Sequence, residues 1–226
     1  MKTILGLDIG TSSVKCCVLE INLFDPNSYI IKSQSKCSYH SERIKSIDSA
    51  RIPSSYSQQN VCEIISTIAK VLSDAKVSDF KLDLISVCGQ QHGCVLWNHE
   101  TIFFDKDDNS YDLNYNSISD HVDWTDGRCC ASFLNELPIP NCYSDKVSTG
   151  YGCATLFWYT RMQPEIIQKY NRAGTIMDFF TSILCRNDQV QMSEHNSHNW
   201  GYYDPEKETW TMEVLVRLYT LYEDEQ

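Results

Sequence analysis

The chain has 226 residues and a formal net charge of −11, from 19 Lys and Arg against 30 Asp and Glu. That length is enough for one large domain with a buried core. The acidic balance argues against a nucleic-acid or anionic-membrane surface, and no apolar run approaches the ~20 residues that span a bilayer.

Eleven cysteines are scattered along the chain without a C-x-x-C pair. Their odd number, together with a start that lacks the apolar stretch of a signal peptide, predicts reduced thiols in a cytoplasmic protein. Cysteines and histidines are also not clustered at the spacing of zinc ligands, so we expect no zinc site.

The first part of the chain predicts a small antiparallel meander. Apolar runs at 3–8 and 14–21 have strand length, and a third run at 29–31 follows a turn expected at 25–27. The polar residues 33–57 lack a clear periodicity and predict a surface loop.

The next part predicts a helix followed by two strands. Apolar residues at helical spacing predict a helix over 61–75, with its apolar face on the core. A nearly continuous apolar run at 83–88 predicts a buried strand, and 94–97 predicts another. Strand, helix and strand with polar, glycine-flanked turns are typical of α/β proteins, in which ligands bind at strand ends.

The second half of the chain predicts mainly helices. The acidic stretch 105–123 is expected to be an exposed excursion, and a polar turn at 192–197 precedes a short strand at 200–203. No repeat or obvious linker interrupts the chain, so one domain is the simplest organisation. The predicted helices are 129–137, 154–162, 165–172 and 175–185.

The segment between the first two strands has the composition of a phosphate-binding turn. Gly10 allows either a left-handed backbone or the close approach of a ligand, and Thr11 and Ser12 add hydroxyl and N–H donors for an anion. Asp8 is placed to hold a hydrated Mg²⁺, and Lys15 adds positive charge. The same residues also suit an ordinary hairpin turn, in which Asp and Gly serve only the backbone.

Four polar turns lie beside apolar runs, at 8–15, 89–93, 124–128 and 192–199. Together they contain a phosphate cradle, an amide and imidazole pair, an acid–base pair and a further carboxylate. Phosphoryl transfer to an alcohol needs such a set of groups.

Several blocks of sequence carry a family resemblance. They are GLDIGTSSVK at 6–15, CGQQHGCVLW at 88–97, WTDGRC at 124–129, GYGCATLFW at 150–158, AGTIMD at 173–178, and MSE at 192–194 with WGY at 200–202. With these blocks the chain resembles the N-terminal half of the FGGY carbohydrate kinases, and among them the sedoheptulose-phosphorylating branch. The resemblance covers nearly the whole chain, to about residue 215.

The resemblance implies an α/β fold, an actin-like (ribonuclease H-like) ATPase domain with a mixed sheet flanked by helices. It also implies the transfer of phosphate from ATP, with Mg²⁺, to sedoheptulose, giving sedoheptulose 7-phosphate. Five residues of the first turn would then contact the terminal phosphates of ATP, namely Asp8, Gly10, Thr11, Ser12 and Lys15. Asp8 would also hold Mg²⁺.

The same resemblance implies a sugar site in the later turns. Gln91 and His92 match the turn that contacts the sugar hydroxyls, and Asp126 is a weaker candidate for that site. Glu194 falls at the position of the catalytic carboxylate, which accepts the proton of the attacking hydroxyl.

Two departures from the family pattern bear on activity. The family has Asp where this chain has Glu194, and the additional methylene moves the carboxylate by about one bond length in a step sensitive to about 1 Å. The family also has a second actin-like domain, which supplies much of the adenosine pocket and is expected to be absent here. The expected organisation is an FGGY-type N-terminal domain over 1–215 and an unplaced tail over 216–226.

The residues leave several alternatives open. The chain could be a truncated sugar-binding or interaction module without catalysis, a kinase of xylulose, ribulose or glycerol, or another actin-like ATPase. Asp126 and Arg128 could simply cap and pair at a helix start, and Glu194 could be a surface residue. The expected partners are a small sugar, ATP, and either a C-terminal kinase half or a second copy of the chain, with no nucleic acid and no membrane.

Overall fold

The computed structural model describes residues 1–39, 56–105, 110–140, 147–187 and 189–211. The strands are β1 Lys2–Ile9, β2 Ser13–Asn22, β3 Asp25–Ser38, β4 Gln58–Gln59, β5 Leu84–Gly89, β6 Val95–Trp97, β7 Ile102–Asp105, β8 Ser110–Leu113, β9 His121–Val122, β10 Arg172–Gly174, β11 Tyr203–Asp204 and β12 Thr209–Trp210. The helices are α1 Val61–Asp74, α2 Ala131–Glu136, α3 Gly152–Met162, α4 Pro164–Ile167, α5 Ile176–Cys185 and α6 Glu194–Trp200. Among the described residues, no helix is long and apolar enough to cross a membrane.

The described residues form two compact units. The first contains 1–39 and Asn60–Gln90, and the second contains 56–59 and the described residues from Gln91 onward. In the first unit a four-stranded mixed sheet has the order β3-β2-β1-β5, with β1, β2 and β3 antiparallel and β5 parallel to β1. The predicted hairpin, meander and strand–helix–strand unit are therefore confirmed.

Helix α1 covers one face of this sheet. Its N-cap is Asn60, whose side chain accepts the Glu63 N–H at 3.1 Å and satisfies one of the free donors of the first turn. Its apolar stripe is buried, as predicted, and the Cys16 thiol of β2 donates to Val71 O. Because successive side chains of a strand point to opposite faces, this packing buries every second side chain along β1 and β2, including Leu5.

Two predictions for the first unit are wrong. The chain reverses at 23–24, so the turn expected at 25–27 lies inside β3, which continues to Ser38 through part of the predicted loop. β3 is an edge strand, and such strands carry polar and Lys residues that hide the strand pattern. The remainder of the predicted loop, 40–55, lies outside the described residues.

The predicted burial of the strand at 83–88 is also wrong. β5 forms the other edge of the sheet, and Leu84 and Ile85 are 55% and 44% exposed. A continuous apolar run normally marks a strand covered on both faces. Here the run is apolar although its side chains face solvent.

The second unit combines helices α2 to α6 with four short antiparallel ladders, β4–β9, β6–β10, β7–β8 and β11–β12. Its core gathers side chains from strands and helices that are distant in sequence. Buried members include Cys94, Leu96, Val122, Phe133, Cys153, Ala154, Trp158, Trp200 and Tyr202. The helices predicted near 129–137, 154–162 and 175–185 are confirmed, with small shifts at their ends.

Three predictions for the second unit need correction. Helix α4 ends at Ile167, and 172–174 forms β10 against β6 instead of continuing the helix. The expected polar turn at 192–197 is the start of α6, and the strand after it begins only at Tyr203. Finally, the end of the expected excursion is buried, because His121 and Val122 pair with β4 inside the unit. The expected tail, 216–226, lies outside the described residues.

Candidate functional site

The β1–β2 hairpin of the first unit carries the predicted phosphate-binding residues. Asp8 and Lys15 face each other in the register of the two strands, with 2.9 Å between Lys15 Nζ and Asp8 Oδ2. The hydrogen bond to Asp8 raises the pKa of the Lys15 ammonium above its ordinary value. Both side chains are partly exposed, and exposed ion pairs are weak, so the pair can rearrange around an anion.

Backbone contacts shape the turn of this hairpin. Gly10 N–H donates to Ser13 O at 3.0 Å, and the Tyr39 hydroxyl donates to Gly10 O. Tyr39 N–H donates to Ser12 O at 3.2 Å. The backbone of Gly10 does not have a positive φ, so a left-handed conformation is not the reason for glycine at this position. A Cβ at Gly10 would instead lie 3.1 Å from Ser13 O, a tight contact, so the close turn favours glycine.

A concavity of about 620 Å³ opens over this face of the sheet. Its lining includes Asp8, Lys15, Lys36 and Cys88, and Lys36 stands opposite Lys15 in the β2–β3 register. Two ammonium groups beside one carboxylate give the concavity a positive balance, which favours an anionic ligand.

Asp8 fits a magnesium ion that arrives with phosphates. Mg²⁺ usually takes one or two protein carboxylates and completes its shell with waters and substrate phosphates. No cluster of three His, Cys, Asp or Glu suited to a metal occurs within the described part of the chain. A single partly exposed carboxylate therefore suits Mg²⁺ and does not form a preformed metal cage.

The second unit carries the predicted sugar-binding turn, and His92 is its most constrained residue. His92 has a left-handed backbone with φ of 59°, which is uncommon for a residue with a side chain. Its Nδ1 lies 2.6 Å from Asn199 O, and its ring stacks on Tyr151 with centroids 4.3 Å apart and planes 11° apart. A carbonyl oxygen only accepts, so Nδ1 carries the proton and Nε2 is the ring nitrogen left for a ligand.

Helix α6 and the residues before α3 hold this turn in place. Gly93 has φ of 65°, its N–H donates to Gly150 O at 2.9 Å, and the Trp200 indole donates to Gly93 O at 2.6 Å. A Cβ on Gly93 would lie 2.4 Å from His121 Nε2. Only glycine satisfies both the conformation and the lack of space.

Glu194 lies in the first turn of α6 and is exposed. Ser193 caps the helix by accepting the Asn196 N–H, and the buried Asn196 side chain donates to Asp178 Oδ1 at 3.2 Å. Asp178 in turn forms a capping box with Thr175 at the start of α5. This network fixes the start of α6 and therefore the backbone that carries Glu194.

Gln91 contacts α6 directly. Its Nε2 lies 2.9 Å from His195 Nε2, so the turn that holds Gln91 and the helix that begins with Glu194 meet at this point. The structure therefore brings the predicted residues Gln91 and His92 together with the helix of Glu194.

Asp126 has a different environment. It is fully buried and forms an ion pair with Arg128, with Arg128 Nε 2.8 Å from Asp126 Oδ1. Burial alone would lower the pKa of the Arg128 guanidinium, but its hydrogen bonds with Asp126 raise that pKa overall and keep it charged. The geometry matches the alternative in which Asp126 and Arg128 pair with each other.

Sequence reasoning assigned no role at the predicted sugar-binding turn to four residues. Tyr151, His195 and Asn199 contact Gln91 or His92, over separations of about 60 to 107 residues that no local pattern reveals. Trp124 is 48% exposed, and a Cβ on Gly150 would lie 2.2 Å from Trp124 O. A large aromatic residue in a polar turn was the one signal in the sequence, since exposed tryptophans often contact ligands.

Solved structures share the fold of this chain. A xylulose kinase from Rhodospirillum rubrum matches with a TM-score of 0.69 and 16% identity over 96% of this chain and 40% of its own. Plasmodium falciparum glycerol kinase with ADP matches with a TM-score of 0.71 and 14% identity over 97% and 41%. The fold is the actin-like α/β fold of the FGGY carbohydrate kinases, as predicted.

Sequence comparison gives nearer relatives. The Homo sapiens sedoheptulokinase is 31% identical over 213 residues, which is 93% of this chain and 44% of the relative. Xylulose kinase from Bacillus subtilis is 24% identical over 178 residues, 75% of this chain and 30% of the relative. No family model matches the chain.

These matches confirm the predicted resemblance: the chain is homologous to sedoheptulokinases over most of its length and shares the FGGY kinase fold. It spans less than half the length of these curated relatives.

Proposed function

We propose that the chain is the sugar-binding half of an ATP-dependent carbohydrate kinase that phosphorylates sedoheptulose. The observation that carries this proposal is the strained turn with Gln91 and His92, which is held against the helix that begins with Glu194. Homology to sedoheptulokinases at 31% identity supports the choice of sugar.

The second unit would bind the sugar through polar groups with fixed roles. His92 Nδ1–H is committed to Asn199 O, so Nε2 accepts from a sugar hydroxyl. Gln91 is exposed, and its side-chain oxygen offers an acceptor because its side-chain nitrogen contacts His195. The exposed ring of Trp124 offers an apolar face for the C–H side of a sugar.

The first unit would bind the terminal phosphates of ATP. Lys15 supplies charge, and the Gly10, Thr11 and Ser12 turn supplies N–H and hydroxyl donors. Asp8 would hold Mg²⁺, which neutralises phosphate charge when it is bound.

Glu194 would act as the general base. As the sugar oxygen bonds to the terminal phosphorus of ATP, the bond from that phosphorus to ADP breaks and the hydroxyl proton passes to the Glu194 carboxylate. Because family members have Asp at this position, we expect the longer side chain to slow the step.

Catalysis would also require the portion that relatives have beyond the 44% matched here. A C-terminal kinase half is therefore the proposed partner, and self-association of the chain is the alternative. The proposed setting is the cytoplasm.

Phosphoryl transfer tests this proposal. The chain is assayed alone and fused ahead of the C-terminal half of the human sedoheptulokinase, with labelled ATP and sedoheptulose, xylulose, ribulose or glycerol. We expect labelled sugar phosphate from the fusion, with sedoheptulose preferred. Glu194→Gln lowers the rate by about 10²-fold or more, while Glu165→Gln, an exposed glutamate of α4, leaves it unchanged. Sugar-independent ADP formation, or no product from any fusion, would contradict the proposal.

The replacement of the family Asp by Glu194 favours one second candidate, a sugar-binding protein without catalysis. Glu194→Asp in the fusion separates the two. A rate that rises from near zero only in this variant would assign the natural chain to binding alone, because near-attack geometry is sensitive to about 1 Å.

A further inference from the structure

The contact between Gln91 and His195 fixes a proton position. The Gln91 side-chain nitrogen lies 2.9 Å from His195 Nε2, and an amide nitrogen only donates. His195 Nε2 therefore accepts this hydrogen bond, which places the ring proton on Nδ1.

One turn of α6 holds both side chains of the sugar-binding turn. The ring of His195 receives the Gln91 amide, and Asn199 O receives His92 Nδ1–H. The Asn199 side chain also donates to His195 O at 2.9 Å, which links the two contacts within the helix. The helix therefore constrains Gln91 and His92 together.

We propose that His195 is a positioning residue that fixes the orientation of the Gln91 amide. With Nε2–H directed at His195, Oε1 is directed away and accepts a hydrogen bond from a sugar hydroxyl. This inference rests on the proposed function, because it assigns Gln91 to the same sugar site. It makes the site selective for ligands that present a hydroxyl donor to Gln91.

The tautomer of His195 gives a test that needs no sugar. Nitrogen-15 NMR of the imidazole rings in the whole chain at pH 7.5 should show His195 protonated on Nδ1. Gln91→Ala should release this preference. A ring protonated on Nε2, or an equal mixture unaffected by Gln91→Ala, would overturn the inference.

Sugar binding to two His195 variants at pH 7.5 tests the positioning role. His195→Gln, whose amide oxygen can accept from Gln91, should keep the sedoheptulose affinity of the wild type. His195→Ala should weaken binding about fivefold at pH 7.5, the size of one hydrogen bond.

His99→Gln is the matched control. His99 makes the same kind of contact, with its Nδ1 2.9 Å from Asn171 Nδ2, elsewhere in the second unit. His99→Gln should leave the sedoheptulose affinity unchanged. If His195→Ala binds sugar like the wild type, or if His195→Gln binds it as weakly as His195→Ala, the inference is wrong. If the tautomer is found but the wild type binds none of the sugars, the proposed function and the sugar role of His195 both fail, while the contact itself stands.

Discussion

Asp126→Ala tests whether the buried ion pair of the second unit stabilises the fold. The Asp126 carboxylate accepts from Ser57 N–H at 2.7 Å, from Arg128 N–H at 2.9 Å, and from Arg128 Nε and Nη2 at 2.8 and 3.1 Å. The Arg128 guanidinium carbon also lies 4.8 to 5.3 Å from the ring centroids of Tyr56, Trp158 and Tyr159. Truncation of Asp126 leaves the buried Arg128 guanidinium without its carboxylate partner, which should lower the free energy of unfolding by about 3–5 kcal/mol. That is a large part of the ~5–15 kcal/mol that stabilises a typical protein.

Urea denaturation followed by tryptophan fluorescence measures this loss as a lower midpoint at an unchanged slope. The double variant Asp126→Ala with Arg128→Met should be more stable than Asp126→Ala, because it also removes the uncompensated charge. Asp74→Ala, which removes an exposed pair with Lys70 on α1, is the matched control and should change the midpoint little. A loss below about 1 kcal/mol for Asp126→Ala would refute the reasoning.

Three further changes test other parts of the fold. Burial lowers the pKa of His121 to about 4, below the ~6.5 of an unfolded histidine. As the pH drops, the unfolded chain therefore binds a proton at this residue before the folded chain does. The free energy of unfolding should fall by about 3 kcal/mol between pH 6.5 and 4. In urea titrations at pH 7 and 4.5, His121→Gln should lose less stability than the wild type, whereas His99→Gln should behave like the wild type. Gly152→Ala should cost about 2 kcal/mol or more in the same assay, because its Cβ would lie 1.8 Å from atoms of an indole ring. A hydrogen bond with a serine hydroxyl lowers the pKa of Cys130, whereas burial raises the pKa of Cys94 to about 12. When the native chain is alkylated and analysed by mass spectrometry, Cys130 should therefore react before Cys94. Equal rates would contradict the buried position of Cys94.

The sequence predicted the elements whose patterns are local. The β1–β2 hairpin and α1 follow from alternation and from helical spacing of apolar residues, each within a short window. β3 was only partly predicted, because an edge strand tolerates the polar residues that suggested a loop. β5 was misjudged in burial, because exposure depends on what packs against a strand and not on its own composition.

The candidate site shows the same division. Short motifs predicted Gln91, His92 and Glu194 as site residues, but they did not predict the residues that contact them in the structure. His195 and Asn199 lie 104 and 107 positions from their partners in the turn, and only the fold brings them together. For Asp126 the sequence allowed either a sugar contact or an ion pair with Arg128. In the structure its carboxylate is buried and forms the ion pair.

Calorimetric titration of the purified chain with sedoheptulose tests the central claim most directly. We expect saturable binding that Gln91→Ala and His92→Ala each weaken, whereas Gln168→Ala, at the end of α4, leaves it unchanged. Absence of binding by a chain that unfolds cooperatively, or binding that both site variants leave unaltered, would contradict the assignment of this turn to the sugar.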